Sequence, residues 1–193
     1  MPEQASITPT ASMASMQAAF DALLAPTGFQ RTRKMLWVRR HAHTASFVLL
    51  QREGAGRASI DTSLALRLQA GVRVLDSDFP ALALNGPDSQ DALLALRESR
   101  FHLRFNLASG HGSERCLTDL ERYTAEVLLP WFARFAAPEA LLAAPSFIPA
   151  AGLQCDAALS DDDKACLRHA LQHGADPARL AASLTLLGIK TRA

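Results

Sequence analysis

Two segments in which apolar and polar residues alternate hold the side chains best placed to do chemistry. In the first, Ile60, Thr62, Leu64, Leu66 and Leu68 share one parity, and Ser59, Asp61, Ser63, Ala65 and Arg67 the other. In the second, Phe101, Leu103, Phe105 and Leu107 alternate with His102, Arg104 and Asn106. Successive strand residues point to opposite faces. If the apolar parity is buried, Asp61, Ser63, Arg67, His102, Arg104 and Asn106 converge on one outer face. Two arginines, an acid and a histidine suit an anionic ligand or an acidic protein patch. His102 would also supply an acid–base group. The competing reading is a solvated face with ordinary cross-strand ion pairs.

A second candidate is the basic run Arg31, Arg33, Lys34, Arg39 and Arg40, followed by His41 and His43 and interleaved with Trp37. Charge beside an aromatic can bind single-stranded nucleic acid by backbone attraction and base stacking. The same charges would equally guard an edge strand against aggregation.

Other chemistries lack their residues. His169 and His173 have the i, i+4 spacing of a helical zinc pair, but Ala170, Leu171 and Gln172 between them include no glutamate. His41 and His43 have no acidic third ligand nearby. No metal or cofactor is therefore expected. Ser109-Gly110-His111-Gly112-Ser113 has neither the order of a nucleophile elbow nor the lysine of a phosphate loop. Cys116, Cys155 and Cys166 form no CxxC pair. Cys116 beside Arg115 reads as a buried helix thiol.

The elements that must position these groups follow from periodicity. Residues 1–11 read as a mobile terminus. Met13, Met16, Phe20, Leu23 and Leu24 make one helix face, stopped by Pro26 and Gly28. Strands are expected at Arg31–His41, Ala45–Arg52, Ser59–Leu68 and Phe101–Leu107. Gly54–Gly56 would join the second to the third. Phe47-Val48-Leu49-Leu50 reads as a central strand covered on both faces. Between Gly71 and Gln90 turn residues predict a surface loop, with a short strand at Val72–Leu75 and a helical turn or two at Asp91–Leu96. The stripe Leu117, Leu120, Thr124, Val127, Leu128, Trp131 and Phe135 predicts a long helix on the sheet, kinked at Pro130. Pro138 starts a short helix to Ala143. Residues 145–152 form a proline-marked connector, and residues 153–193 a helical hairpin opened by Ser160 and Asp176-Pro177. The fold class is thus α+β: an antiparallel sheet of about four strands on an N-terminal and a long kinked helix, with the hairpin appended.

Composition bounds the function. The chain has 193 residues, 49% hydrophobic and 20% charged, with net charge +1. That is an ordinary globule, with no global attraction to nucleic acid or membrane. The first basic residue is Arg31 and no long apolar run occurs, so neither a secretory signal nor a membrane span is expected. The expected compartment is the cytoplasm.

Three segments resemble a bacterial family of uncharacterised domains of unknown function. They are Gly28-Phe29-Gln30-Arg31 with Trp37-Val38-Arg39-Arg40, His102-Leu103-Arg104-Phe105-Asn106-Leu107, and Leu129-Pro130-Trp131-Phe132-Ala133-Arg134-Phe135. The resemblance spans Phe20 to about Leu142 and leaves out the hairpin from Leu153. It implies an α+β domain and no catalytic residue. The expected function is a non-enzymatic intracellular binding protein, immunity-like in type, for a protein or an anionic ligand, with the hairpin available for homodimerisation. The alternatives are a nucleic-acid-associated protein, acting through Arg31–His43 or the hairpin, and a small hydrolase or transferase using His102.

Overall fold

The computed structural model describes residues 12–53, 63–90, 101–147 and 158–190. Five antiparallel strands lie in the order β1 (Gln30–Arg33), β2 (Leu36–Arg40), β3 (Thr44–Glu53), β4 (Ser63–Val74) and β5 (Arg104–Asn106). The helices are α1 (Met13–Leu24), α2 (Ser113–Tyr123), α3 (Leu129–Arg134), α4 (Pro138–Ala143), α5 (Asp161–His173) and α6 (Pro177–Leu186). The α+β class is as expected, with one strand more. The additional strand arises because Arg31–His41 is a hairpin rather than one strand. Its turn, Lys34-Met35, lacks the Gly, Asn or Asp that marks such turns. Gln17 of α1 holds it instead, donating from Nε2 to the Lys34 carbonyl at 2.8 Å. The Gly54–Gly56 turn, Asp61, the Asp91–Leu96 segment and Cys155 lie outside the described residues.

One sheet face carries Trp37, Val48, Leu50, Leu64, Leu66, Leu68 and Phe105, all buried. Met16, Phe20 and Leu24 of α1 pack there with Leu120, Tyr123, Trp131 and Phe132 from the later helices. Phe20 meets Trp37 edge-on at 4.7 Å, and the indole N–H donates to Asp21 at 2.7 Å. A Ser12–Ser15 capping box starts α1. The expected break in the long helix is present and has a definite form. Thr124–Leu128 is a π-turn, in which the Leu129 N–H reaches the Thr124 carbonyl. The extra residue per turn shifts the register just before Pro130, which has no N–H to donate.

The other sheet face is covered too. Leu36, Val38, Ala45, Phe47 and Leu75 form a second cluster with Leu184 and Leu187, and Leu180 and Ile189 pack against it. The tail hairpin therefore straddles the sheet. Leu167 of α5 joins the larger core, while α6 lies on the outer face. This double cover explains why the third strand runs on through Gly71 to Val74. Gln69 to Val74 are all buried, so alternation stops while the strand does not. The short strand expected at Val72–Leu75 is the end of β4.

Two features fix the outer layer. Arg73 is buried, donating from Nε to Ser183 Oγ (2.9 Å) and from its terminal nitrogens to the carbonyls of Ala81 (2.8 Å), Ser77 (3.1 Å) and Phe79 (3.0 Å). Burial pushes its guanidinium down from the ordinary arginine range, with Asp163 and Asp78 pulling the other way. Asn85 bonds both the N–H and the carbonyl of Val72 at 2.9 Å, extending the sheet with one side chain. Gly71 makes that approach feasible, since a Cβ there would sit 2.5 Å from Phe47 Cζ and 2.6 Å from the Ala83 carbonyl oxygen.

Gly71→Ala should therefore cost about 1–3 kcal/mol in urea denaturation. An unchanged midpoint would mean that the loop yields freely. Arg73→Met, which strands four acceptors, should cost about 3 kcal/mol or more. It should also speed amide exchange along Ser183–Leu187, and protection equal to wild type there would contradict the anchoring role.

Candidate functional site

The structure brings part of the first candidate set together. Ser63 lies opposite Asn106 and Ala65 opposite Arg104 in the β4–β5 pairing. The ladder continues one step further, with the Leu66 N–H donating to the Leu103 carbonyl at 2.8 Å. Leu64 and Phe105 point inward, so Ser63, Arg67 and Arg104 lie on the outer side, at the end of the sheet away from α6. His102 and Arg104 are exposed.

The members of this set differ in how far they are committed. Arg67 grips Asp88, its Nε lying 3.0 Å from both carboxylate oxygens, and Gln69 Nε2 adds a bond at 2.9 Å. The Asn106 carbonyl oxygen of the side chain accepts the N–H groups of Ala108 and Ser109, each at 2.9 Å, so it shapes the turn after β5. Asp119 on α2 takes the backbone N–H of His102 at 2.7 Å and pairs with Arg122 at 3.4 Å. What remains for a partner is the Arg104 guanidinium and the His102 imidazole, neither of which has a side-chain partner among the described residues. A hydrolase would need that imidazole oriented by an acid in a pocket. Here Asp119 holds the backbone of His102, and the ring stands in solvent.

The basic run is dispersed by its own strands. Arg31 pairs with Asp21 of α1 at 3.1 Å. Arg33 donates to the Thr185 carbonyl of the tail. Arg39 lies over the rings of Phe29 (4.9 Å) and Phe132 (5.8 Å), and burial pushes its guanidinium down from the usual range. Lys34 sits exposed at the hairpin turn. Trp37 is only 1% exposed, so it cannot serve as a stacking platform for bases. His41 contacts Ser46 Oγ at 3.3 Å, its imidazole pushed down by burial and by neighbouring Arg39.

Two members of the run, Arg31 and Arg40, border a concavity. A cleft of about 560 Å³ lies between the β1–β2 hairpin and the tail beyond α6, with Gln30, Thr32, Val38 and Arg40 on one side and Ile189 and Lys190 on the other.

Sequence reasoning missed Asp76 and Asp88 as organising residues, and Lys190 as a member of the cleft. Asp76 is fully buried and accepts the Asp176 N–H at 2.7 Å, with His169 Nδ1 at 3.2 Å. It ties the α5–α6 turn to the end of β4, and it engages the very histidine that had the spacing of a metal pair. The rings of His169 and His173 lie 5.0 Å apart, tilted by 48°. Among the described residues no group of three or more His, Cys, Asp or Glu is arranged to hold a metal. No helix among them is long and apolar enough to cross a membrane.

Cys116 is buried on α2. Burial, reinforced by Asp119, pushes its thiol up to about 12. Iodoacetamide at pH 8 should therefore modify Cys116 only after unfolding, as read by peptide mass mapping. Rapid modification of the folded chain at this residue would contradict its inertness.

No family model, no curated protein and no solved structure matches this chain.

Proposed function

We propose that the protein is a non-enzymatic binding protein that recognises an acidic partner on the open half of its outer sheet face. One observation carries this reading. At the β4–β5 end the neighbouring carboxylates of Asp88 and Asp119 are already engaged, while Arg104 and His102 are exposed and have no side-chain partner among the described residues. Among the described residues no carboxylate is paired with Arg104, on a chain whose net charge is +1. An exposed arginine on a rigid strand gives a planar, two-pronged donor for a carboxylate at little ordering cost.

The test is affinity capture from cell extract with the wild-type chain and with an Arg104→Glu, His102→Glu double variant. Both positions are exposed, so the melting temperature should change by no more than about 2 °C. Proteins retained by the wild type should be lost by the variant, and their retention should weaken with salt. Identical capture by the two chains would sink the proposal. Arg67→Glu is a poorer probe, because it would set a second carboxylate against Asp88 and disturb the loop behind the face.

A further inference from the structure

The cleft beside β1 is a separate feature from the β4–β5 end, and its chemistry is more specific. Among the described residues its cationic members are Arg31, Arg40 and Lys190, and no acid lines it. Arg31 is neutralised by Asp21 on the α1 side of the sheet. Arg40 and Lys190 are exposed and, among the described residues, have neither an ion-pair nor a hydrogen-bond partner. They come from distant parts of the chain, β2 and the end of the tail. The floor between them is apolar, formed by Val38 and Ile189. Gln30 adds an amide that can donate or accept.

The tail is held firmly at this point. Thr32 Oγ1 donates to the Leu187 carbonyl at 2.5 Å. Gly188 follows in the left-handed conformation, and a Cβ there would fall 2.7 Å from Arg33 Cγ. The Ile189 N–H then returns to the Leu184 carbonyl at 2.9 Å. The wall carrying Lys190 is thus set against β1 by bonds that involve neither Arg40 nor Lys190. The two cations are not needed for the packing around them.

Like charges converging on a cleft cost energy unless an anion joins them. Two cations over an apolar floor, in a cleft of about 560 Å³, match a small ligand rather than a macromolecular face. Two unpaired positive charges call for two negative ones, which one phosphomonoester or one dicarboxylate supplies. We propose that this cleft binds a small dianion, a phosphomonoester or a dicarboxylate, with Arg40 and Lys190 as its charge partners and Val38 and Ile189 against its apolar body.

Isothermal titration of the full chain with glycerol phosphate, succinate, inorganic phosphate and uncharged glycerol tests this at low salt. The expected result is saturable one-to-one binding of glycerol phosphate, succinate or both, and none of glycerol. Preference between the first two identifies the head group. Stronger binding of glycerol phosphate than of inorganic phosphate would support contact with the apolar floor. Arg40→Gln and Lys190→Gln should each weaken the bound dianion by about tenfold or more, as loss of one charge-assisted contact implies. Arg115→Gln, an exposed arginine of the opposite layer, should leave it unchanged. Lys190→Gln lies outside every strand, so a fault in β2 cannot mimic its effect. Absence of saturable binding, or equal affinity in all three variants, would overturn the assignment. Neither outcome bears on the β4–β5 end, whose test uses different residues and a different partner.

Discussion

Burying Arg73 under α6 obliges the outer layer to take one shape. A guanidinium removed from water must find acceptors for its donors, or the desolvation cost outweighs the packing gained. The segment after β4 supplies three of them as backbone carbonyls, from Ser77, Phe79 and Ala81. The fourth comes from Ser183 of α6, more than a hundred residues further on. One side chain thereby fastens an irregular loop and the C-terminal helix to the same strand. Asp76 adds a second tie from the end of that strand to the α5–α6 turn. With both in place, Leu184 and Leu187 settle on Phe47 and Val38, and the sheet becomes a layer covered from both sides.

That constraint decides which parts of the sheet stay open. α6 is a short helix of ten residues and cannot span five strands. It covers the β2–β3 region and the far half of β4, where the outward residues are Val38, Phe47, Gly71 and Arg73. Beyond it the outward residues turn polar or small: Gln51, Arg67, Ala65 and Ser63, then Arg104 on β5. On the other side the tail passes β1 without filling the space above Val38 and leaves the cleft of Arg40 and Lys190. Both candidate surfaces are thus where the outer layer stops. Each is carried by strands whose other face is a packed core, so each is rigid enough to recognise a partner without paying heavily in ordering.

The inner layer was legible in the residues because its signals are local. Met16, Phe20 and Leu24 at helical spacing, and Leu64, Leu66 and Leu68 at strand spacing, mark buried faces directly, and all of them are core. The outer layer left no such trace. Where β4 is covered on both sides the alternation that identifies a strand disappears, and Gly71, a residue that reads as a breaker, is there because Phe47 and Ala83 leave no room for more. Asp76 and Asp88 read as turn residues, and so they are. Their second role depends on partners about a hundred and about twenty residues away, which no local pattern encodes. The candidate site followed the same division. Parity set Arg104 and Arg67 on one side of the sheet, but only the packed structure assigns Arg67 to Asp88 and leaves Arg104 without a side-chain partner among the described residues.

The fate of the basic run shows why linear charge density is a weak guide to function. Five cations within ten residues look like one patch. Folded into a hairpin, they are sent in different directions by the period of two and by the turn at Lys34-Met35. Arg31 and Arg39 go to the helical side, one to Asp21 and one over Phe29 and Phe132. Arg33 reaches the tail and Arg40 faces the cleft. Three of the five are thereby consumed in holding helices and tail against the hairpin, which is work of architecture. Where the hairpin meets a cation from elsewhere, Lys190, two charges without a partner among the described residues line one cleft. Convergence of that kind requires the tail to be docked, so the same ties that close the outer layer also create the cleft.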